Sequence, residues 1–285
     1  MTIRKVLVPL DGSDRDRLAL NTAFIVARQF GARIDAMHVR VQPVDTLPFV
    51  GEGMSGALVL ELVDLWAGER AGRAAVAHKT FEMVRAATGI PLAKTGAAAP
   101  GSASALWLER DGQEEDAVAA AGRLADLIVL AAPESPTSIT STGIFGVALF
   151  ETARPVLIAG TRTLPLQLGH IVVAWDGTAQ ATRALAASLP FLARAERITV
   201  VTSQEPGDDV DLQEVPAYLA WHGITADARA ISQHPSVGEA LNEAARDADL
   251  LVMGGYSHSR LRELILGGVT RYMLEKATMP LLLAH

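Results

Sequence analysis

The chain has 285 residues, 49% hydrophobic and 20% charged, and 25 basic against 32 acidic side chains leave a formal net charge of −7. This balance fits a globular chain with a substantial core, and the length favours two domains. The acid excess argues against a broad basic face for nucleic acid or anionic membrane. With no cysteine, disulfides, thiolate metal sites and Cys nucleophiles are excluded.

The first residues, MTIRKVLVPLDGS, pass at once into a short apolar run. They lack the apolar h-region and small-residue cleavage site of a signal peptide. No apolar run approaches the roughly 18 residues of a membrane span, so a soluble, cytoplasmic protein is expected. A strand-length run ends at Asp11, followed by Gly12, Ser13 and an Ala/Leu helix. Residues 43–80 carry extra sequence, including a helical stretch over 57–87, which is expected to decorate one side of a sheet. The GEGMSG of 51–56 satisfies a dinucleotide fingerprint, but it follows DTLPFV rather than a first strand and has no strand-end acid about 20 residues on. The QEED of 113–116 reads as a solvated helix start, where carboxylates complement the helix dipole. Trp66 and Trp107 read as packing residues.

The second half repeats the first. Residues 4–20, RKVLVPLDGSDRDRLAL, match 169–185, GHIVVAWDGTAQATRAL, with Asp11 and Asp176 as fixed points. Residues 125–136 match 248–259, and 151–160 match 275–285. Two units are expected, 1–162 and 168–285, joined where Pro165 and Gly169 mark a linker. Short Val/Ile/Leu runs alternating with Ala-rich helices predict a parallel sheet covered on both faces. In the second unit strands are predicted at 170–175, 197–202, 225–230, 249–253 and 280–284. A helix is predicted over 236–248, with Ser236 as N-cap and Glu239 three residues on. The strands at 156–159 and 281–284 are predicted to pair across a pseudo-twofold, because each otherwise leaves an apolar edge unpaired.

Ligands of such sheets sit outside the carboxyl ends of the strands, where helix N-termini offer amides to anions. Gly254 and Gly255 follow one strand, and Gly267 and Gly268 precede a helix. Missing Cβ atoms let backbone amides approach a phosphate. Thr270 can add a hydroxyl, His258 and Arg260 can add donors or charge, and Asp176 lies across the same crevice. Equally, these glycines can be no more than turn formers. The seven His residues form no metal-ligand spacing. No G-x-S-x-G elbow is present, and no general base is identifiable beside a positioned water.

The repeat, the strand-end Asp residues and the last forty residues, DADLLVMGGYSHSRLRELILGGVTRYMLEKATMPLLLAH, resemble a tandem universal stress protein over nearly the whole chain. That resemblance implies an α/β fold of two Rossmann-like, HUP-type units packed as a pseudo-dimer, each a mainly parallel five-stranded sheet flanked by helices. Nucleotide-binding members carry Gly, two residues, Gly, nine residues, then Gly followed by Ser or Thr. Here that frame reads Gly254, Ser257, Gly267 and Gly268, two matches and two departures. The implied ligand is ATP or AMP, with Mg2+ accompanying it and no intrinsic metal. The implied site is Asp176, Ser203, Gly254, Gly255, Ser257, His258, Arg260, Gly267, Gly268, Val269 and Thr270. In the first unit Ala131 and Ala132 replace the glycines after the strand, and Pro133 and Pro136 each remove an amide. Its nucleotide loop is therefore expected to be degenerate, although Asp11 and the His38-Val39 position on the adenine side remain.

Two function classes follow. One is a nucleotide-responsive regulator with little turnover, acting through an unknown protein partner as a monomeric pseudo-dimer or homodimer. The other is a ligand-free scaffold of the same fold. Neither involves nucleic acid or membrane.

Overall fold

Short runs of Val, Ile and Leu become strands here because both sheet faces are covered, so every side chain of such a run is buried whichever way it points. The computed structural model describes residues 2–41, 56–93, 101–132, 139–204, 211–232, 236–255 and 268–285. The first half runs β1 (Lys5–Leu10), α1 (Asp16–Phe30), β2 (Arg33–Arg40), α2 (Gly56–Thr88), β3 (Ser104–Asp111), α3 (Glu114–Gly122), β4 (Leu127–Ala131), α4 (Ile139–Phe150) and β5 (Val156–Ala159). The second half repeats it as β6 (His170–Ala174), α5 (Ala179–Leu192), β7 (Arg197–Gln204), α6 (Glu214–Ala220), β8 (Asp227–Ser232), α7 (Val237–Ala244), β9 (Leu250–Gly254), α8 (Gly268–Lys276) and β10 (Leu281–Ala284).

The strands form one ten-stranded sheet in the order β3-β2-β1-β4-β5-β10-β9-β6-β7-β8. Within each half all pairings are parallel. The halves meet at an antiparallel seam, with Leu281 opposite Ile158, Leu282 opposite Leu157 and Leu283 opposite Val156. The pairing predicted for these strands is thus present. Its residues are fully or almost fully buried, and each strand covers the other's apolar edge. Phe150 of the first half also meets His285 edge-on, with ring centroids 4.7 Å apart.

Alternation along each strand divides the core in two. Val6, Val8 and Leu10 point into the cluster under α1, α2, α5 and α6, whereas Leu7 points into the cluster under α3, α4, α7 and α8. The extra sequence of the first half becomes α2, whose Ala77, Phe81 and Val84 join the first cluster. Trp107 packs against His78 and Phe81 on that side, in keeping with its reading as a packing residue. Among the described residues no helix is long and apolar enough to cross a membrane.

The predicted strands of the second half agree within two residues. Helix α7 starts as predicted, with the Ser236 hydroxyl accepting from Glu239 N at 3.2 Å. It stops at Ala244 rather than 248, since the chain turns there to enter β9. The repeated Ala-Asp-Leu also has a physical role. Asp126 Oδ2 accepts from Arg4 N and Lys5 N at 2.8 and 3.0 Å, and Asp249 Oδ2 accepts from Gly169 N and His170 N at 2.7 and 3.0 Å. Each carboxylate clamps the entry of its unit's first strand.

Candidate functional site

In the second half, β6 leads through α5 to β7 on one side, while β9 leads through α8 to β10 on the other. The crevice between the carboxyl ends of β6 and β9 is therefore the point where the strand order reverses. Asp176 stands just past β6 and is exposed. Its Oδ1 accepts from Thr178 N at 3.1 Å and Thr178 Oγ1 at 2.6 Å, while Thr178 caps α5 by accepting from Ala181 N. Asp176 thus holds the first turn of α5 in place with one oxygen. Next along the sheet, Ser203 lies near the end of β7 with its Oγ buried and without a hydrogen-bond partner among the described residues.

Gly254 ends β9, and a Cβ there would stand 2.7 Å from Ala181 N and 2.9 Å from the Gln180 carbonyl carbon. This glycine is required by the close approach of β9 to the first turn of α5. Gly255 donates its N–H to Ala284 O at 2.8 Å, and a Cβ on it would lie 3.1 Å from Leu149 of the first half. At the start of α8, a Cβ on Gly268 would have nothing within 4 Å among the described residues. Val269 is half-buried against the second cluster, and Thr270 is buried in the first turn of α8. Ser257, His258, Arg260 and Gly267 lie outside the described residues, so Asp176, Ser203, Gly254, Gly255 and Gly268 to Thr270 are the part of the expected site that the fold places.

The equivalent crevice of the first half is occupied by the protein itself. Asp16, buried at the start of α1, accepts from Asp11 N at 3.2 Å and Gly12 N at 2.9 Å, so its own carboxylate takes the amides of the β1–α1 loop. Gly12 has φ +82°, and a Cβ on it would stand 2.6 Å from the Arg73 carbonyl oxygen of α2. Only glycine fits beneath that helix. His38 is also turned inward, with Nδ1 2.8 Å from Leu10 O and its ring stacked on Trp107. Arg15 reaches Ala132 O at 3.3 Å and pairs with Asp11 at 3.7 Å.

Three carboxyl groups crowd this crevice. Burial, and then the Asp11 charge, push Asp16 up to about 7 against the hydrogen bonds from Gly12 and Asp11. Burial, then Asp11 and Glu115, raise Glu114 to about 7, with Arg73 opposing. At Asp11 burial acts upward, but hydrogen bonding from Ser13 N at 2.9 Å and from Asp16, together with the Arg15 charge, outweighs it and holds the carboxyl below its ordinary value. The reading of QEED as a solvated helix start therefore needs correction at one position: Glu115 and Asp116 are exposed, but Glu114 is half-buried against Asp11. Among the described residues no group of three or more His, Cys, Asp or Glu is arranged to hold a metal ion.

Sequence reasoning also missed a cavity of about 350 Å³ between α5 and α6, lined by Trp175, Gly177, Thr182, Leu185, Glu214, Val215 and Tyr218. The available signal was Trp175, a large aromatic standing at a strand end beside Asp176, where the first unit has Leu10.

Two five-stranded parallel units, each with its crevice at a reversal of strand order and joined by an antiparallel seam, define a tandem Rossmann-like α/β protein. The universal stress protein family matches residues 2–139 and 208–285, and the chain belongs to that family. It is similar to the universal stress protein Slr1230 of Synechocystis sp., with 24% identity over 98% of this chain and 99% of that protein. The crystal structure of a universal stress protein from Archaeoglobus fulgidus superposes with a TM-score of 0.73 at 16% identity, covering 99% of this chain and 96% of that one. A functionally unknown protein, PA1789 of Pseudomonas aeruginosa, superposes with a TM-score of 0.55 at 14% identity, covering 99% and 92%. Both structures share the two-unit fold.

Proposed function

We propose that this universal stress protein is a regulator whose C-terminal unit, 168–285, binds ATP or AMP in the crevice between β6 and β9, while the N-terminal unit, 1–162, binds none. The observation that carries this reading is the difference between the two crevices. In the first, Asp16 takes the loop amides and α2 lies over Gly12. In the second, the position of Asp16 is taken by Ala181, no atom of the described residues stands within 4 Å of a Cβ placed on Gly268, and the Ser203 hydroxyl lacks a partner among the described residues. A helix N-terminus favours an anion, and Asp176 supplies an acceptor for ribose or base. Mg2+ would arrive with the triphosphate. With no general base identified, binding rather than turnover is the output, and a cytoplasmic protein partner reads the bound state.

A ligand-free scaffold is the second reading, favoured by the packing of Gly254 on Ala181 and Gly255 on Leu149, which gives both glycines a structural reason. Mass spectrometry of the denatured, freshly purified protein, with calorimetry against ATP and AMP, separates the two. Ser257→Gly with Gly268→Ser is expected to tighten ATP binding several-fold, since it restores the glycine and the hydroxyl of the nucleotide-binding frame. Gly267→Val is expected to abolish it. Absence of binding at millimolar ATP in both wild type and the double variant leaves the scaffold.

A further inference from the structure

The cavity between α5 and α6 has a lining chemistry of its own. Trp175 and Tyr218 supply two aromatic side chains, Leu185 and Val215 an aliphatic floor, and Thr182 a hydroxyl. Leu185 and Val215 are buried, whereas Glu214 and Thr182 are exposed and Tyr218 is 41% exposed, so the apolar part lies deep and the polar part at the rim. Among the described residues the one charged group lining it is Glu214, and no Lys or Arg contributes. Aromatic faces carry negative charge density and attract cations, and a carboxylate at the same rim adds to that attraction. A phosphate or carboxylate ligand would face the Glu214 carboxylate there.

The geometry points to a second ligand site in this cavity, one that takes a small organic cation with an aromatic body, its ring against Trp175 and Tyr218 and its ammonium toward Glu214. A cavity of about 350 Å³ lies within the range of small-molecule sites. The inference does not depend on nucleotide binding, because phosphates at α8 and a cation between α5 and α6 would occupy different places. An occupant would nevertheless lie one residue from Asp176, on the backbone that carries it.

The test uses three ligands of one shape and different charge, phenethylamine, phenethyl alcohol and phenylacetate, titrated into the full chain. Binding is read by tryptophan fluorescence, with Trp175→Phe identifying the reporting residue, and by ligand-observed NMR. The amine is expected to bind about fivefold tighter than the alcohol, from a cation–aromatic contact and one partly exposed ion pair. The acid should bind weakest. Glu214→Gln, a conservative change at an exposed position, is expected to reduce the advantage of the amine to about twofold, the part that the aromatic rings supply, and to leave alcohol binding unchanged. Equal affinities in wild type, an amine preference undiminished in Glu214→Gln, or no binding of any of the three at millimolar concentration overturns the assignment.

Discussion

Replacing Asp16 by Asn isolates the electrostatics of the closed N-terminal crevice. The folded protein holds this carboxyl at about 7, whereas an unfolded chain holds it near 3.9. A raised folded value means the folded state binds more protons, so the stabilisation is complete below about pH 4. It is lost as pH rises through about 7, and the loss is constant above that. At about 1.4 kcal/mol for each tenfold change, the full loss for this buried group is about 4 kcal/mol. Asparagine cannot ionise, but its amide presents one acceptor where the carboxyl meets two amide donors, from Asp11 and Gly12. One lost hydrogen bond costs about 1 kcal/mol. Asp16→Asn is therefore expected to be about 0.5 kcal/mol less stable than wild type at pH 4 and about 2 to 3 kcal/mol more stable at pH 8.5, allowing for local rearrangement. Urea unfolding at both pH values measures this, and the contribution of Glu114 cancels because it is present in both proteins. An Asn variant destabilised equally at the two pH values refutes the reasoning, since the carboxyl would then act only as a loop cap.

Three further outcomes are expected. Gly254→Ala places a methyl 2.7 Å from Ala181 N, backbone against backbone, and should cost about 1 to 3 kcal/mol in thermal or urea unfolding. Leu282→Ala removes a fully buried side chain from the seam and should cost about 2 to 5 kcal/mol; hydrogen exchange should show the faster opening in β5 as well as β10. Asp249→Ala leaves Gly169 N and His170 N without their acceptor and should cost about 1 to 3 kcal/mol, with the loss centred on β6 by hydrogen exchange.

The sheet was readable in the sequence because parallel strands covered on both faces leave a continuous apolar run, and because the repeat gave each run a partner. The seam could be anticipated from two terminal strands with apolar edges. What could not be read depends on approaches between distant segments. Gly254 looks the same in sequence whether it faces a phosphate or the backbone of Ala181. Asp16 and Glu114 are ordinary helix-start acids until α2 lies over Gly12 and burial brings both carboxyls beside Asp11. The cavity of Trp175 and Glu214 needs α6 laid beside α5, which no local pattern encodes. The stretch with Ser257, His258, Arg260 and Gly267 lies outside the described residues, so that half of the expected cradle stays an expectation.

The antiparallel seam between β5 and β10 lies within one chain, and this changes its response to dilution. A seam between two separate chains forms by a bimolecular step, so its occupancy falls as protein concentration falls. Here the linker through Pro165 makes closure unimolecular, with an effective concentration set by the tether rather than by expression level. The paired state is therefore insensitive to how many copies a cell contains, and its melting temperature should not move when the protein is diluted.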